Sequence, residues 1–173
     1  MKRRDFETIL LTLESTPALL AQAAKALSPC EARRRPDESS FSFVENVWHL
    51  ADLEREGFGL RIRRILSEEN PALANFDGNR LAHERAYQEK DVERGLASFA
   101  RARAQNLEAL RRLRASDWKR SGSQEGVGRV SLADIPRLMA EHDRSHGADV
   151  AHILAIVRGE ARSECARPKS AVA

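Results

Sequence analysis

Four stretches of the chain carry apolar residues at intervals of three and four positions, the spacing of a helix that buries one of its sides. They run from about Asp5 to Leu27, from Ser42 to about Asn70, from Asp91 to about Ala115, and from near Ser131 to about Arg158. No stretch alternates apolar and polar residues as a half-buried strand does. The pattern therefore predicts an all-α protein, a four-helix bundle.

Residues that cap helices mark the beginning of the second and fourth stretches. Ser42 and Glu45 form the Ser-x-x-Glu pattern of a capping box, in which each side chain satisfies a backbone N–H of the other residue. The fourth helix has two candidate starts, at Ser131 and at Asp134. If Asp134 is the N-cap, Pro136 lies in the first turn, where its missing N–H has little cost. Both starts are compatible with the sequence.

Proline and glycine mark the connections and one irregularity. Pro17 lies inside the first helix and predicts a kink or a break after residue 16. Residues 28–40 have the composition of a linker, and residues 116–129 form a glycine-containing loop. The connection over residues 71–90 is longer than most loops, which indicates that it spans the end of the bundle or carries function.

Length and composition fit one folded domain. A chain of 173 residues, with 42% hydrophobic and 32% charged residues, is long enough for a single core and too apolar to be disordered. We predict one bundle domain over residues 1–160. Residues 161–173 lack a periodic pattern and are predicted to form a flexible tail.

The charge, the apolar content and the cysteines limit which binding partners and which cellular compartment can be expected. The net charge is only +3, and acidic residues are interleaved with the arginines, which disfavours nucleic acid as the partner. No stretch approaches the roughly 18 uncharged apolar residues of a membrane span, and acidic residues interrupt the N-terminal segment where a signal peptide has its apolar core. Cys30 and Cys165 are isolated from each other and from any metal-binding pattern. We therefore predict a cytoplasmic protein.

Two histidines lie four residues apart in the apolar pattern of the fourth helix, in the stretch AEHDRSH. Residues four apart differ by about 40° around a helix, so His142 and His146 share one face and point toward the bundle interior. On the second helix, His49 also lies with the apolar residues. Three inward imidazoles from two helices are typical of an open metal site, whose remaining positions are left to water or substrate. His83 and His152 do not share the pattern and are predicted to lie on the surface.

Alternatives to a metal site remain open at this point. A single inward histidine is more often a hydrogen-bonded core residue than a ligand, and the His-x-x-x-His spacing also occurs by chance. Asp143 follows His142 where the HExxH motif of metalloproteases has Glu, which excludes that class. Glu45 lies one turn before His49 and could be a ligand, but the capping box explains it better.

Four polar residues near the histidines or inside the apolar stripes have two interpretations each. Asp52 and Asp149 each follow one of the histidines by three positions, so each could accept an imidazole N–H or be an exposed helix charge. Arg103 and Asn106 interrupt the stripe of the third helix and are candidates for binding a cofactor or substrate. Arg103 could meet an anionic group there, or it could extend its charge to the end of the bundle.

Three motifs, in order along about residues 8–157, resemble the DinB-like superfamily. The first, SFSFVENVWHLADLE, is similar to the family motif W-S-x-x-E-x-x-x-H-L-x-D, with Phe41 where the family usually has Trp. The others are YQEKDVERGLASFARARAQNLEALRRLRASDWKRSG and, with the family's H-D-x-x-H pattern, GRVSLADIPRLMAEHDRSHGADVAHIL. The resemblance implies up-down-down-up connectivity with a long crossover between the second and third helices. It also implies a divalent metal, zinc or nickel, bound by His49, His142 and His146.

The resemblance further implies a class of reaction. Members of the superfamily with assigned chemistry use the metal with low-molecular-weight thiols, as bacillithiol S-transferases and mycothiol-dependent maleylpyruvate isomerase do. We therefore expect a bacterial metal-dependent transferase or hydrolase, with S-transfer from an external thiol as the leading reaction. A non-catalytic metal-binding protein of the stress response and a DNA-associated, damage-inducible protein remain as alternatives. The expected partner is a small-molecule substrate or thiol, and a homodimer is a further option.

Overall fold

The computed structural model describes the backbone of residues 3–165 and the side chains of residues 6–159. Its helices, in chain order, are α1 (Arg3–Lys25), α2 (Pro29–Arg33), α3 (Phe43–Asp52), α4 (Gly59–Ser67), α5 (Gly78–Glu84), α6 (Val92–Arg111) and α7 (Ile135–Cys165). A π-helical segment, Leu53–Phe58, joins α3 directly to α4, so the pair forms one long helix. Together with α1, α6 and α7 it makes the predicted four-helix bundle.

The second and third long helices of the bundle run in the same direction. Where α3 and α6 begin, Trp48 Nε1 donates to the carbonyl oxygen of Asp91 at 2.9 Å. Farther along both helices, Asn106 Nδ2 donates to the carbonyl oxygen of Glu54 at 2.7 Å. The chain must therefore return along the bundle between these helices, which is why the crossover that joins them is long.

The remaining helix pairs complete the up-down-down-up order. α7 runs antiparallel to the second long helix, because Asn46 contacts His146 whereas Phe58, farther along, lies against His142. α1 runs parallel to α7, since the early residues of both share one apolar cluster and the later residues of both share another. The predicted topology is confirmed.

The apolar core has two parts with polar side chains between them. Buried apolar residues of the first part include Leu13, Phe58, Ile62, Leu110 and Met139. Those of the second part include Leu20, Phe43, Val47, Phe99 and Ile153. Along the helices, the buried Glu54, Arg103 and Asp143 fall between the two parts. Buried charges are expensive unless they are paired, so these three residues, which we call the polar layer, must satisfy one another.

A three-stranded sheet contradicts the expectation that the chain contains no strands. β1 (Ala72–Leu73) pairs in parallel with β2 (Ser121–Gln124), which pairs antiparallel with β3 (Gly128–Ser131). The strands are short and rich in Ser and Gly, so they lack the alternation that predicts a strand. Gly126 and Gly128 have φ angles of 73° and 91° at the turn of the β2–β3 hairpin, a conformation that glycine adopts readily.

The crossover over residues 71–90 is folded along its length. It contains β1, α5 and a three-ten turn, Tyr87–Glu89. Asn75 ties it to the hairpin, because its Nδ2 donates to the carbonyl oxygen of Glu125 at 3.2 Å and its Oδ1 accepts from Gln124 Nε2 at 2.9 Å. The small sheet therefore fixes the segment that leads into α5.

Two expectations about helix starts are confirmed. The hydroxyl of Ser42 accepts from the backbone N–H of Glu45, and the Glu45 carboxylate accepts from the backbone N–H of Ser42, so the capping box is present. α7 begins at Ile135, directly after Asp134. Pro136 therefore lies in the first turn, as expected if Asp134 is the cap.

Two expectations about connections and helix ends need correction. Residues 28–40 are not an open linker throughout, because they contain α2 with its own capping box at Ser28 and Glu31. α7 continues to Cys165, so it includes the first five residues of the segment predicted to be a flexible tail. Residues 166–173 lie outside the described residues.

Within residues 3–165, no helix combines the length and the apolar character needed to cross a membrane.

Pro17 lies inside α1 without ending it, so of the two predicted alternatives, a kink or a break, the break is wrong. Proline has no N–H, so the carbonyl oxygen of Leu13, four residues earlier, lacks its usual helical donor. Arg103 Nη1 of α6 donates to this oxygen at 3.0 Å. Pro17 thus exposes an acceptor that ties α1 to α6.

Candidate metal centre

Three histidine side chains from two helices meet beside the polar layer. His49 projects from α3, and His142 and His146 project from successive turns of α7. One ring nitrogen from each residue lies within 4.8 Å of those of the other two. The Nε2 atoms of His49 and His142 are 3.1 Å apart. The structure therefore brings the three predicted ligands into one cluster.

The histidine cluster is not sealed from solvent. His49 is buried, with 8% of its surface exposed, whereas His142 and His146 are only partly buried. The side chain of His146 is 14% exposed. Solvent therefore reaches the cluster at the two histidines of α7.

Asn46 sets the protonation pattern of His146. The Nδ2 of Asn46 donates to the carbonyl oxygen of Ser42 at 3.0 Å and also faces that of Phe41, so the Oδ1 must face the other way. That oxygen lies 2.6 Å from Nδ1 of His146. An amide oxygen only accepts, so Nδ1 carries the proton and Nε2 keeps a free lone pair for a metal. Asn46 was not among the residues predicted from the sequence, where its only signal is its position one turn before His49.

Aromatic rings and the start of α5 enclose His49. The ring centroids of Phe41 and Phe76 lie 5.6 and 5.7 Å from that of the imidazole. Gly78 approaches the ring so closely that a Cβ atom there would lie 2.3 Å from Cε1 and 2.5 Å from Nδ1 of His49. Glycine is therefore required at this position for the imidazole to keep its orientation.

The histidine rings have hydrogen-bonding capacity that the protein does not satisfy. The Nδ1 atoms of His49 and His142 are buried without a partner among the described residues. Ordinary core histidines bond to other groups of the protein, whereas among the described residues the hydrogen-bonding contact of each of these rings is the Nε2 atom of the other. Two nitrogens that ligate one tetrahedral zinc ion lie about 3.3 Å apart, close to the Nε2–Nε2 distance here. Since neutral imidazoles are good ligands for zinc and nickel, the residues fit a divalent metal.

Burial keeps the imidazoles neutral. Burial and then the neighbouring imidazoles lower the pKa of His49 to about 3. Burial, His146 and a nearby guanidinium group lower the pKa of His142 to about 3. Burial also lowers the pKa of His146, although the carboxylates of Asp149 and Asp143 oppose that effect. Metal coordination requires neutral imidazoles, so the cluster is in the binding-competent form at neutral pH.

The sequence of the chain matches one protein family over most of its length. Residues 12–150 match the model of the DinB superfamily. The chain belongs to the DinB superfamily. No curated protein matches the sequence.

The fold of this DinB protein is similar to that of a solved relative. YfiT from Bacillus subtilis is described as a probable metal-dependent hydrolase with an unusual four-helix bundle topology. The likeness has a TM-score of 0.83 and covers 91% of this chain and 90% of that chain, at 20% sequence identity. At this identity the likeness establishes the shared fold, and the activity in the description belongs to YfiT.

Arg103 and Asn106 support the site of this DinB protein from within the core. Arg103 is buried, and its guanidinium group contacts Asp143 at 2.7 Å and Glu54 at 2.9 Å. The expectation that it extends to the end of the bundle is therefore wrong. Asn106 Nδ2 donates to the Glu54 carboxylate at 3.0 Å as well as to its carbonyl oxygen. Both residues make these contacts within the protein, and a role for either one in binding a cofactor stays a prediction.

Of the two aspartates proposed to orient the imidazoles, one does so only marginally and the other not at all. Asp149 Oδ2 lies 3.3 Å from Nδ1 of His146, farther than the Asn46 oxygen, and its side chain is half exposed. Asp52 is buried but accepts from Tyr87 Oη at 2.6 Å and from Arg55 and Arg85. It holds the three-ten turn of the crossover against α3, so the sequence-based role for Asp52 is wrong.

The remaining candidates behave as the sequence predicted. Glu45 completes the capping box and pairs with Arg35, and it does not belong to the histidine cluster. His83 and His152 are exposed. His152 lies on the same helix as two of the candidate ligands, so it offers a matched control for substitutions in the cluster.

We expect one divalent ion per chain, with all three histidines required. His142→Ala should lower the affinity for zinc by more than about 100-fold, since loss of a hydrogen-bonding partner behind a ligand already costs about 10–100-fold. Calorimetric titration of the chelator-treated full chain with zinc measures both stoichiometry and affinity. His152→Ala should bind like the wild type. Unchanged stoichiometry after replacement of all three cluster histidines would exclude this site.

Substitution of Asn46 should separate metal affinity from fold stability. Asn46→Ala removes the acceptor for His146 and should weaken zinc binding by about 10–100-fold. Asn46→Asp keeps an acceptor for His146 but, like Asn46→Ala, loses the N–H donors to the backbone carbonyls of residues 41 and 42. It should therefore destabilise the fold while retaining most of the zinc affinity. Zinc titration and urea unfolding of both variants provide the comparison. Equal zinc affinities in the two variants would contradict the orienting role.

The metal-free protein should lose stability as the pH falls below about 6.5. There the unfolded chain protonates His49 with its ordinary pKa of about 6.5, whereas the folded chain keeps it neutral because its pKa is about 3. Proton uptake then favours unfolding, by about 2 kcal/mol for this residue at pH 5 relative to pH 7.5. Urea unfolding in the presence of a chelator measures the difference. His49→Gln should reduce it by a similar amount, and an unchanged pH dependence in this variant would contradict the assignment.

Proposed function

We propose that this protein is a metal-dependent enzyme that transfers a group of a small-molecule substrate to an external low-molecular-weight thiol or to water. The observation that supports this most directly is the half-open cluster of His49, His142 and His146, three neutral imidazoles whose nitrogens converge. A divalent ion with neutral ligands keeps its full charge and lowers the pKa of a thiol or water that it binds, which supplies a nucleophile near neutral pH.

Each residue around the cluster has a defined task in this proposal. The three histidines hold the ion, and Asn46 keeps the proton of His146 on Nδ1 so that Nε2 is available as a ligand. Phe76 and the backbone of Gly78 pack against His49, which limits the rotation of its imidazole. The partly exposed side near His146 is left for the thiol or water.

The open arrangement favours a reactive centre over a structural one. Structural zinc sites are closed by four protein ligands, whereas catalytic sites have three and leave a position open. Among the residues whose side chains are described, the cluster comprises three histidines and no further ligand. This supports an enzyme more than a protein that only stores or carries metal.

The protein's own described cysteine does not supply the thiol. Cys30 is exposed in α2 and does not belong to the histidine cluster. A thiol nucleophile would therefore come from outside, in line with the thiol-dependent reactions that the sequence motifs suggest. Hydrolysis requires water in the same position, so one site accommodates either reaction.

The DNA-associated alternative gains no support from the contacts of the arginines grouped at residues 33–35 and 111–114. Arg35 pairs with Glu45 and Arg111 pairs with Glu14, so these guanidinium groups are partly neutralised within the protein. Nucleic-acid binding requires a surface where basic side chains remain available for phosphates.

The test of the proposed function is metal-dependent turnover with two types of substrate. A chlorodinitrobenzene, with a panel of bacterial low-molecular-weight thiols, reports S-transfer, and a nitrophenyl ester reports hydrolysis. The zinc- or nickel-loaded protein should accelerate at least one reaction beyond the rate with free metal or metal-free protein. His49→Ala should reduce the rate to that background. It should stay folded, because bundle stability rests mainly on apolar packing.

Two matched variants provide the controls for this experiment. His152→Ala and Cys30→Ser should both retain the wild-type rate, because neither residue belongs to the cluster. Full activity in His49→Ala would place the chemistry elsewhere. If the protein binds metal stoichiometrically but no thiol or ester reacts in a metal-dependent manner, the non-catalytic metal-binding protein becomes the better description.

A further inference from the structure

A cleft of about 450 Å³ lies next to the crossover, and Phe76 is one of its lining residues. Its walls come from the second long helix and from the crossover that covers His49. Phe76 lines the cleft and packs edge-on against the imidazole of His49, with ring centroids 5.7 Å apart. The cleft has the size of small-molecule sites in proteins, and through Phe76 it borders one of the proposed metal ligands, His49.

Four arginines line this cleft, and three of them, Arg55, Arg80 and Arg85, pair with carboxylates. Arg85 pairs with Asp52 and with both oxygens of Glu56. Arg55 pairs with the same two carboxylates, but only through its Nη2 atom. Among the described residues, the other guanidinium nitrogens of Arg55 have no partner. The carboxylates therefore hold Arg55 in place while leaving it able to donate to a ligand.

Arg63 and Arg80 are the other two arginines of the cleft, and they add further N–H donors to its wall. Arg63 has no hydrogen bond or ion pair from its side chain to any residue in the described part of the chain, and it is exposed. Arg80 donates to Glu84 through Nη1. Guanidinium groups match carboxylate and phosphate oxygens with paired hydrogen bonds, so an arginine without an acidic partner at the wall of a cleft is suited to an oxyanion.

The acidic residues of the cleft do not cancel the attraction of its arginines for an anion. Glu56 is occupied by Arg55 and Arg85, which lower its pKa to about 2 and keep it bound as a carboxylate. Asp77 caps α5 by accepting from the backbone N–H of Arg80 at 3.0 Å. Both are engaged within the protein, whereas the donors of Arg63 and Arg55 are not.

The apolar residues of the cleft define the rest of the ligand. Leu60 is 38% exposed and lies in α4 one turn before the position of Arg63, and Leu81 and Phe76 face it from the crossover. Exposed apolar surface next to donors is typical of a pocket that takes an apolar body with a polar end.

We propose that this cleft binds a small organic anion, with its carboxylate or phosphate group at Arg63 and Arg55 and its apolar body against Phe76. This inference rests on the proposed function in one respect: the bound anion is the substrate on which the adjacent metal centre acts. Binding itself does not require the metal, so the two proposals can be tested separately.

The probe for binding is phenyl phosphate, titrated into the full chain with and without zinc and followed by amide chemical shifts. The shifted amides should lie in the second long helix and in residues 75–85. Binding should be tighter than that of inorganic phosphate, which lacks the apolar body, and of phenol, which lacks the anion. Benzoate shows whether a carboxylate serves as well as a phosphate.

Arg63→Gln should weaken phenyl phosphate binding about tenfold, the cost of one hydrogen bond to a charged group. Arg101→Gln, an exposed arginine of α6 outside the cleft, should have no effect.

Several outcomes would overturn the cleft proposal. They are unchanged affinity in Arg63→Gln, shifted amides that lie outside the cleft, or phenol binding as tightly as phenyl phosphate. If phenyl phosphate binds as expected but no substrate reacts, the proposed function fails and the binding site stands. If the enzyme turns over and Arg63→Gln leaves the KM of an anionic ester unchanged relative to a neutral one, the cleft is not the substrate site.

Discussion

Arg103 carries its positive charge into the middle of the bundle, and its partners come from each of the other three long helices. It pairs with Glu54 in the π-helical segment and with Asp143 in α7, and it donates to the carbonyl oxygen of Leu13 in α1. Removal of one partner from a buried ion pair costs about 3–5 kcal/mol, because the other charge is left buried and uncompensated. The helices are therefore held at the one mutual rotation that satisfies the polar layer.

That rotation also assembles the histidine cluster. Asp143 lies between His142 and His146 in α7, so the contact of Asp143 with Arg103 directs the neighbouring face of the helix toward α3. Glu54 lies on the turns that follow His49, and its contacts with α6 fix the helix that carries this third ligand. The fold thus separates two requirements. Fully paired charges hold the helices, and the imidazoles beside them stay neutral and available to a metal.

The parts of the molecule that the sequence could predict are those that depend on one helix at a time. Periodicity places His49, His142 and His146 on inward faces without knowledge of any neighbour. The connectivity came only from the resemblance to a family, because periodicity does not say which helices pack together. The part of the crossover that covers His49 could not be predicted in this way. Its Gly78 comes close to the imidazole only after β1 of the crossover has paired with β2 of the hairpin. Asn46 likewise acquires its role from a residue 100 positions away.

Pro17, Arg103 and Asp143 each break a local rule when taken alone: a proline inside a helix, an arginine in an apolar stripe, and an aspartate between two inward histidines. The contacts of Arg103 with Asp143 and with the carbonyl oxygen that Pro17 leaves free place the three at the same depth in the bundle. The proline frees a carbonyl that needs a donor, the arginine has five N–H groups that need acceptors, and the aspartate accepts from both Arg103 and Thr16. Exceptions at equal depth on adjacent helices can therefore satisfy one another. Taken together, the three exceptions indicate that Arg103 lies in the core, beside the histidine cluster.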